Sequence, residues 1–356
     1  MPINTVITGT GSYVPSIVKK NSDFLKNEFL NEDGSPFGYD NETIIEKFQA
    51  ITGIQERRYA KVNMNSSDLG YYAAIEAIKD AGIDKEELDY IIVAHNFGDV
   101  SSDSNQTDVI PTLAARVKHR LEIKNPSCVA YDILFGCPGW IEGMIQAHAF
   151  IKAGMAKKVL VIGSETLSRV VDPSDRDSMI YADGAGATIV EAKEESYKRG
   201  FLSNATRSDT LDEAYFLHMK KSFNKNNQSD TKYMKMYGRK IYEYALNTVP
   251  VAMKAAFDKT AVNIDHLEKV FIHQANEKMD EAIIKRFFRL YKVPTPQRVM
   301  PMSIHLLGNS SVATVPTLYD LVLKGKIPNQ KVSKDDIILF ASVGAGMNVN
   351  AIVYKI

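Results

Sequence analysis

One cysteine, one histidine and one asparagine carry the chemistry that this sequence offers. Cys137 stands in Phe135-Gly136-Cys137-Pro138-Gly139-Trp140, between a strand-like stretch and a long helix-like one. That spacing puts its sulfur at a helix N-terminus, where unpaired N–H groups and the helix dipole favour a thiolate. The small neighbours leave room for a substrate. His273 closes the apolar run Val270-Phe271-Ile272, just before Gln274-Ala275-Asn276 opens a helix. A histidine at the C-terminal end of a strand faces the crevice in which α/β sheets bind ligands. Asn309 lies in Leu307-Gly308-Asn309-Ser310-Ser311, ahead of a helix containing Pro316, although asparagine in such a turn also serves as a plain cap. A sulfur nucleophile with two hydrogen-bond donors suits acyl transfer, in which an oxyanion must be stabilised.

The remaining candidates are duller. Cys128, in Ser127-Cys128-Val129-Ala130, reads as a structural thiol in mid-strand. His95 ends a strand and could reach a cleft. His119, His148, His218 and His266 lie in charged, helical or polar surroundings, and His305 near Asn309 takes no role. No HxxxH or paired-cysteine spacing is present, so neither a metal nor a cofactor is expected.

These residues need a frame to bring them together. Val6-Ile7-Thr8-Gly9 reads as a short buried strand, and Ser66 or Ser67 caps a helix that Gly82 closes. DYIIVAH (89–95) is a central strand, and Pro111 opens a helix. Residues 128–133 form a strand, 138–153 a long helix ended by Gly154, and 158–163 the next buried strand. This alternation predicts an α/β fold with helices around a mostly buried sheet. Two polar excursions, 31–41 and about 206–235, break it as surface loops or hairpins. EKVFIHQ (268–274) echoes DYIIVAHN (89–96), and Val343-Gly344-Ala345-Gly346 with its sequel echoes Asp183-Gly184-Ala185-Gly186. Two echoes in matching order point to a duplicated unit.

Composition limits the function classes. Of 356 residues, 45% are hydrophobic and 24% charged, enough for a large core or two fused ones. Lys plus Arg and Asp plus Glu both total 43, so no global field recruits nucleic acid or a membrane surface. No apolar run approaches the roughly 18 residues of a membrane span, and the start lacks the pattern of a signal peptide. Two cysteines make no disulfide framework. A cytoplasmic protein with free thiols is expected.

At this point the sequence resembles the β-ketoacyl-ACP synthase III family of the thiolase superfamily. The resemblance spans nearly the whole chain: ITGTGSYVP (7–15), ITGIQERR (51–58), the Cys137 segment, SETLSRVVDPSDRDSMIYADGAGATIV (164–190), HQAN (273–276), GNSSVATVP (308–316) and the last Gly-rich turn. It implies a thiolase-like αβαβα layered fold made of two duplicated halves, residues 1–200 with the nucleophile and 201–356 with His273 and Asn309. Cys137 would accept the acyl group. His273 and Asn309 would hold the thioester carbonyl of the second substrate and stabilise its enolate. The backbone N–H groups of Cys137 and Ala345 would form a second oxyanion hole; Ala345 replaces a family glycine and keeps the donor if its φ is negative. Lys278, Lys285 and Arg286 match a basic patch for acyl carrier protein, and Ile110 matches a residue that bounds the partner's acyl pocket in a homodimer.

The chain also departs from the family. The tryptophan and arginine that sandwich the adenine of coenzyme A are missing from residues 46–51, and Trp140, the only tryptophan, lies elsewhere. Arg176 alone remains for that adenine, which favours a carrier-bound acyl donor over acyl-CoA. The altered entrance and the 31–41 insertion resemble the dialkylresorcinol-forming ketosynthase/cyclase branch, which joins two fatty acyl chains. A housekeeping synthase that starts fatty acid synthesis is the alternative within the family. Outside it stand a non-catalytic condensing-enzyme-like partner subunit, against which the three retained residues speak, and a papain-like cysteine hydrolase, which the α/β alternation disfavours. A biosynthetic thiolase would need a second cysteine near residues 342–347, and none is there.

Overall fold

Two sheets, each with helices on both faces, follow from the alternation of apolar runs. The computed structural model describes residues 1–356. The strands are β1 (Ile3–Tyr13), β2 (Ile17–Lys20), β3 (Glu56–Tyr59), β4 (Tyr90–His95), β5 (Val129–Leu134), β6 (Lys158–Thr166), β7 (Asp183–Glu194), β8 (Gly200–Ser208), β9 (Leu217–Lys221), β10 (Lys232–Met236), β11 (Leu267–Ile272), β12 (Ile337–Gly344) and β13 (Asn348–Lys355). The helices are α1 (Asn41–Thr52), α2 (Ser66–Ala81), α3 (Leu113–Arg120), α4 (Gly139–Lys152), α5 (Gly238–Phe257), α6 (Glu277–Leu290), the short α7 (Ile304–Leu307) and α8 (Thr314–Leu323).

The sheets show the duplication. The first runs β1-β7-β6-β4-β5 and the second β8-β13-β12-β11. In each, two antiparallel pairings are followed by a parallel one, β6 on β4 in the first and β12 on β11 in the second. The echo between 89–96 and 268–274 is thus the equivalence of β4 with β11. The glycine echo is looser: β7 and β13 hold equivalent places, but Gly184 and Gly186 lie inside β7, whereas Gly344 and Gly346 flank the turn before β13.

Helices α4 and α8 pack between the sheets, α2 and α3 cover the first, and α5 and α6 cover the second. Helix α8 is buried along nearly its whole length, as a place between two sheets demands, while α4 buries one broad apolar face. Trp140, Ile141 and Met144 of α4 and Val315, Leu318 and Tyr319 of α8 share one core with strands of both sheets. Two further cores lie outside the sheets, and a fourth, around Phe24, Phe48 and Ile180, roofs the molecule.

Local details correct the sequence reading. Strand β1 has 11 residues rather than four, with a register shift between Ile7 and Gly9. Asn65, not Ser66 or Ser67, caps α2, in a capping box with Asp68. Pro111 precedes α3 rather than opening it: the cap is Thr112, whose side chain accepts the Ala115 N–H. Cys128 lies just before β5 and is buried. His95 does not reach a cleft. Its Nε2 donates to Asp132, 3.0 Å away, while its Nδ1 accepts the Gly98 N–H, which makes it a buried anchor for the loop after β4. No helix is long and apolar enough to cross a membrane.

One buried acid has no partner. Both carboxyl oxygens of Asp280, on the inner face of α6, lack hydrogen bonds, and burial pushes its pKa well above the usual carboxylate range. The native state therefore holds it protonated where the unfolded chain, with a pKa of about 3.9, ionises it. The cost grows as the pH rises above that value. Asp280→Leu should stabilise the protein by about 1–3 kcal/mol at neutral pH. The gain should shrink toward about pH 4, which urea unfolding at two pH values will show.

Candidate functional site

The two central helices point their N-termini at one cavity. Cys137 lies two residues before α4, and Asn309 lies five residues before α8, separated from it by a 3-10 turn, Ser311–Ala313, whose first residue is left-handed (φ +51°). His273 immediately follows β11, which the parallel pairing with β12 sets beside the Gly344–Ala345 turn. Cys137, His273, Asn309, Gly344 and Ala345 all line a cavity of about 690 Å³, whose walls are mainly hydrophobic.

Glycine lets two backbones meet at its floor. A Cβ on Gly344 would stand 2.4 Å from the Cys137 nitrogen, and one on Gly136 would stand 2.8 Å from the Ala345 nitrogen. The first and second halves of the chain therefore touch main chain to main chain beside the sulfur. Ala345 does not have a positive φ; Gly346 takes the left-handed position at +74°. The turn thus tolerates alanine where it stands, and the Ala345 N–H remains beside Gly136.

Ser311 connects the three reactive side chains. Its hydroxyl is 3.1 Å from Cys137 Sγ, and its backbone N–H donates to Asn309 Oδ1 at 2.7 Å. This holds the Asn309 carboxamide by its oxygen and leaves Nδ2 without a protein partner. The main chain on both sides is pinned as well: Asn309 N–H donates to Ile180, and Ala182 N–H donates to the Asn309 carbonyl. His273 is buried with an unpartnered Nδ1. Burial lowers its pKa to about 4, against a small opposing effect of the Ser311 main chain, so the imidazole is neutral at physiological pH.

The thiol differs from the expectation. Helix α4 starts at Gly139 with Pro138 in the cap position, so the helix end acts from one residue beyond Cys137. Burial pushes the thiol up to about 11, against the Ser311 hydrogen bond, and the carboxyl of Glu165 adds to the rise. Removal from water outweighs the favourable dipoles. Glu165 is itself buried in β6, and burial raises it to about 8 despite hydrogen bonds from Asn96.

The other candidates fall in three places. Arg176 lines the cavity mouth and packs on Phe37, 4.8 Å from the ring centroid. Lys278 and Lys285 are exposed along α6, but Arg286 is not free: its guanidinium holds the Leu246 carbonyl and Asn247 Oδ1 of α5. Ile110 is 86% exposed on the outside of the molecule and is not part of its own chain's cavity. His305 pairs with Glu277, and His148 stacks on Phe201.

Sequence reasoning missed Ser311, Asn96 and Glu165. Asn96 follows β4 as Gln274 follows His273 after β11, so the echo of the two strands already held that signal. Reasoning also missed that the two polar excursions build walls: Phe37 and Tyr39 come from one, and Leu217, Met219, Met234 and Met236 come from the β9–β10 hairpin of the other. His218, passed over as polar surface, lines the cavity with them.

The family described as 3-oxoacyl-[acyl-carrier-protein (ACP)] synthase III matches residues 131–210, and its C-terminal counterpart matches residues 257–356. The chain is 34% identical over 342 residues to β-ketoacyl-[acyl-carrier-protein] synthase III 1 of Vibrio vulnificus (strain YJ016), covering 96% of each chain. It belongs to the β-ketoacyl-ACP synthase III family. A second relative in the family, from Staphylococcus haemolyticus, is 30% identical over 354 residues and 99% of each chain. The crystal structure of the Thermus thermophilus synthase III superimposes with a TM-score of 0.80 at 29% identity, covering 99% of each chain. The fold is accordingly the thiolase-like one, and the chain is an acyltransferase, a condensing enzyme that forms carbon–carbon bonds by Claisen-type condensation.

Gly344→Ala tests the floor of the cavity. The added methyl meets main chain rather than a flexible side chain, so Cys137 must shift. We expect condensation to fall by about 100-fold or more while circular dichroism stays that of a folded protein. A second measurement follows the thiol: the rate of Cys137 modification by iodoacetamide should climb with pH up to about 11 without an earlier plateau.

Proposed function

We propose that Cys137 takes an acyl group from a thioester and that the acyl-enzyme then condenses with a second, carrier- or CoA-bound malonyl or β-ketoacyl thioester. The observation that carries this is one sulfur, one neutral imidazole and one carboxamide facing a single apolar cavity, held together through Ser311. Attack by Cys137 gives a tetrahedral oxyanion, for which the backbone N–H groups of Cys137 and Ala345 are the donors. His273 and the free Nδ2 of Asn309 then hold the carbonyl oxygen of the second thioester as negative charge moves onto it. Neutral His273 suits this role, because a donor that needs no charge works across the physiological range. We divide the chain near residue 200, with the nucleophile in the first half and both donors in the second.

Acyl carrier protein and acyl-CoA are the partners this reading implies. Lys278 presents positive charge in the first turn of α6 and Lys285 two turns further on, while Asn276, which caps the helix, and Met279 line the cavity; Arg286 is left out of that docking patch because α5 holds it. A homodimer would cover the open edge of β5, where Val129 and Leu134 are exposed, and would bring Ile110 to the partner's cavity. A cytoplasmic location accords with two unpaired cysteines.

Within the family we favour a specialised enzyme for long acyl chains, of the dialkylresorcinol-forming kind, over one that starts fatty acid synthesis. Support comes from the mouth of the cavity. The aromatic–cation contacts there are internal, Arg176 on Phe37 and Lys47 on Tyr39, so no guanidinium–indole sandwich awaits an adenine. The hairpin methionines add a deformable apolar wall suited to hydrocarbon.

Intact-mass spectrometry with a panel of acyl-CoA and acyl-carrier thioesters tests the whole reading, with Cys137→Ala as control. We expect a long-chain adduct on Cys137 alone, preferred from the carrier. His273→Ala and Asn309→Ala should keep the adduct yet lose condensation by about 100–1000-fold. Efficient acetoacetyl formation from acetyl-CoA and malonyl carrier protein would overturn the specialised reading, and an unmodified Cys137 would overturn the nucleophile.

A further inference from the structure

A chain of hydrogen bonds whose direction an ionised carboxylate sets ends on the sulfur. It begins at Glu165, whose Oε1 accepts the backbone N–H of Asn96 at 2.8 Å and also meets the Asn96 side-chain nitrogen. Above the value of about 8 to which burial raises Glu165, its carboxylate can only accept, so the Asn96 atom facing it is the amide nitrogen, not the amide oxygen. The second hydrogen of the same Nδ2 is directed at Ser311 Oγ, 3.0 Å away. An amide nitrogen donates and cannot accept. The Ser311 hydroxyl must therefore accept from Asn96, and its single hydrogen is left for Cys137 Sγ at 3.1 Å.

We propose that Ser311 is a further catalytic residue, a hydroxyl donor to the Cys137 thiolate, and that Asn96, anchored by Glu165, is the positioning residue that aims it. The proposal deepens the reading of Cys137 as nucleophile and rests on it. No bond to Ser311 forms or breaks in the reaction: the hydroxyl keeps its proton while the sulfur gains and then loses negative charge. A hydrogen bond to an ionised acceptor is about twice as strong as one between neutral groups, so the contact favours the thiolate over the thiol. It offsets part of the burial that pushes the thiol up. Asn96 is unsuited to pass protons along to Glu165, because its amide would have to ionise, so the carboxyl acts as an anchor and not as a base. The left-handed φ of Ser311 fits the same account: strain that a serine tolerates only when held gathers where geometry matters.

Other ionisable groups around the sulfur are Glu165, Tyr181 and His273, and none of them changes when Ser311 does. That isolates the hydroxyl. Ser311→Ala and Ser311→Gly both delete it, and glycine also accepts the positive φ without strain, so one variant guards against misfolding of the other. The readout is the second-order rate of Cys137 alkylation by iodoacetamide against pH, on a Cys128→Ala background, which involves no acyl substrate. Both variants should shift the profile upward by about one unit, lowering the rate roughly tenfold at about pH 8. Asn96→Ala should shift it the same way by less, since the hydroxyl then turns freely. Glu165→Gln keeps an acceptor oxygen for Asn96 and loses a carboxyl, so its profile should stay or move down. A wild-type profile in both Ser311 variants, or an upward shift in Glu165→Gln equal to theirs, overturns the proposal. Should Cys137 take no acyl group from any thioester, the alkylation profile still reports on Ser311, so the two failures are told apart.

Discussion

Everything at the site depends on two strands of main chain being allowed to touch. Gly136–Cys137 from the first half and Gly344–Ala345 from the second meet at distances that exclude a Cβ at either glycine. A side chain there would push the two segments of main chain apart beside the sulfur. In the proposed reading the N–H groups of Cys137 and Ala345 form the oxyanion hole, and backbone donors, with no rotamers to freeze, are already organised for the charge that develops. The rest of the molecule holds that meeting in place: α4 and α8 sit back to back between the sheets, and each sheet bears on both.

The duplication explains why the reactive groups come from such distant positions. Equivalent helices bring Cys137 and Asn309 in from opposite sides, and equivalent strands end in His95-Asn96 and His273-Gln274. The two copies have since divided the work. In the second copy the histidine faces the cavity, while in the first it is locked to Asp132 and the next residue, Asn96, reaches toward the sulfur through Ser311. Gln274 meanwhile braces the 301–304 segment, accepting from Ser303 and Ile304 and donating to Pro301.

Much of this was legible in the residues. Apolar runs such as DYIIVAH and KVLVIG marked strands because a strand buried on both faces has no polar alternation to hide it. Cys137, His273 and Asn309 stood out because strand ends and glycine turns are where chemistry is exposed in such folds. What was not legible depends on three-dimensional context. The net balance between burial and dipole at Cys137 cannot be read from neighbours in sequence, since Glu165 and Ser311 come from elsewhere. Arg286 shows the same limit: one charge among several on a helix, it is taken by α5 carbonyl and amide groups. The polar segments at 31–41 and 206–235 hid their apolar side, because a hairpin with one wet face and one dry face reads as surface when its partner is unknown.

That hairpin is fastened in an unusual way. Lys235, almost wholly buried, reaches Asp172 and Asp175 at 2.7 and 2.9 Å, and Asp172 also takes the Ser222 hydroxyl and the Phe223 N–H. A buried charge cluster is intolerant of losing a member, so it works as a rivet rather than as glue. The side chains of the methionines on the inner surface of this flap take no part in the charge cluster or in the glycine contact at the floor. The wall that would meet an acyl chain in the proposed reading is thus separate from the contacts that fasten the flap and close the floor.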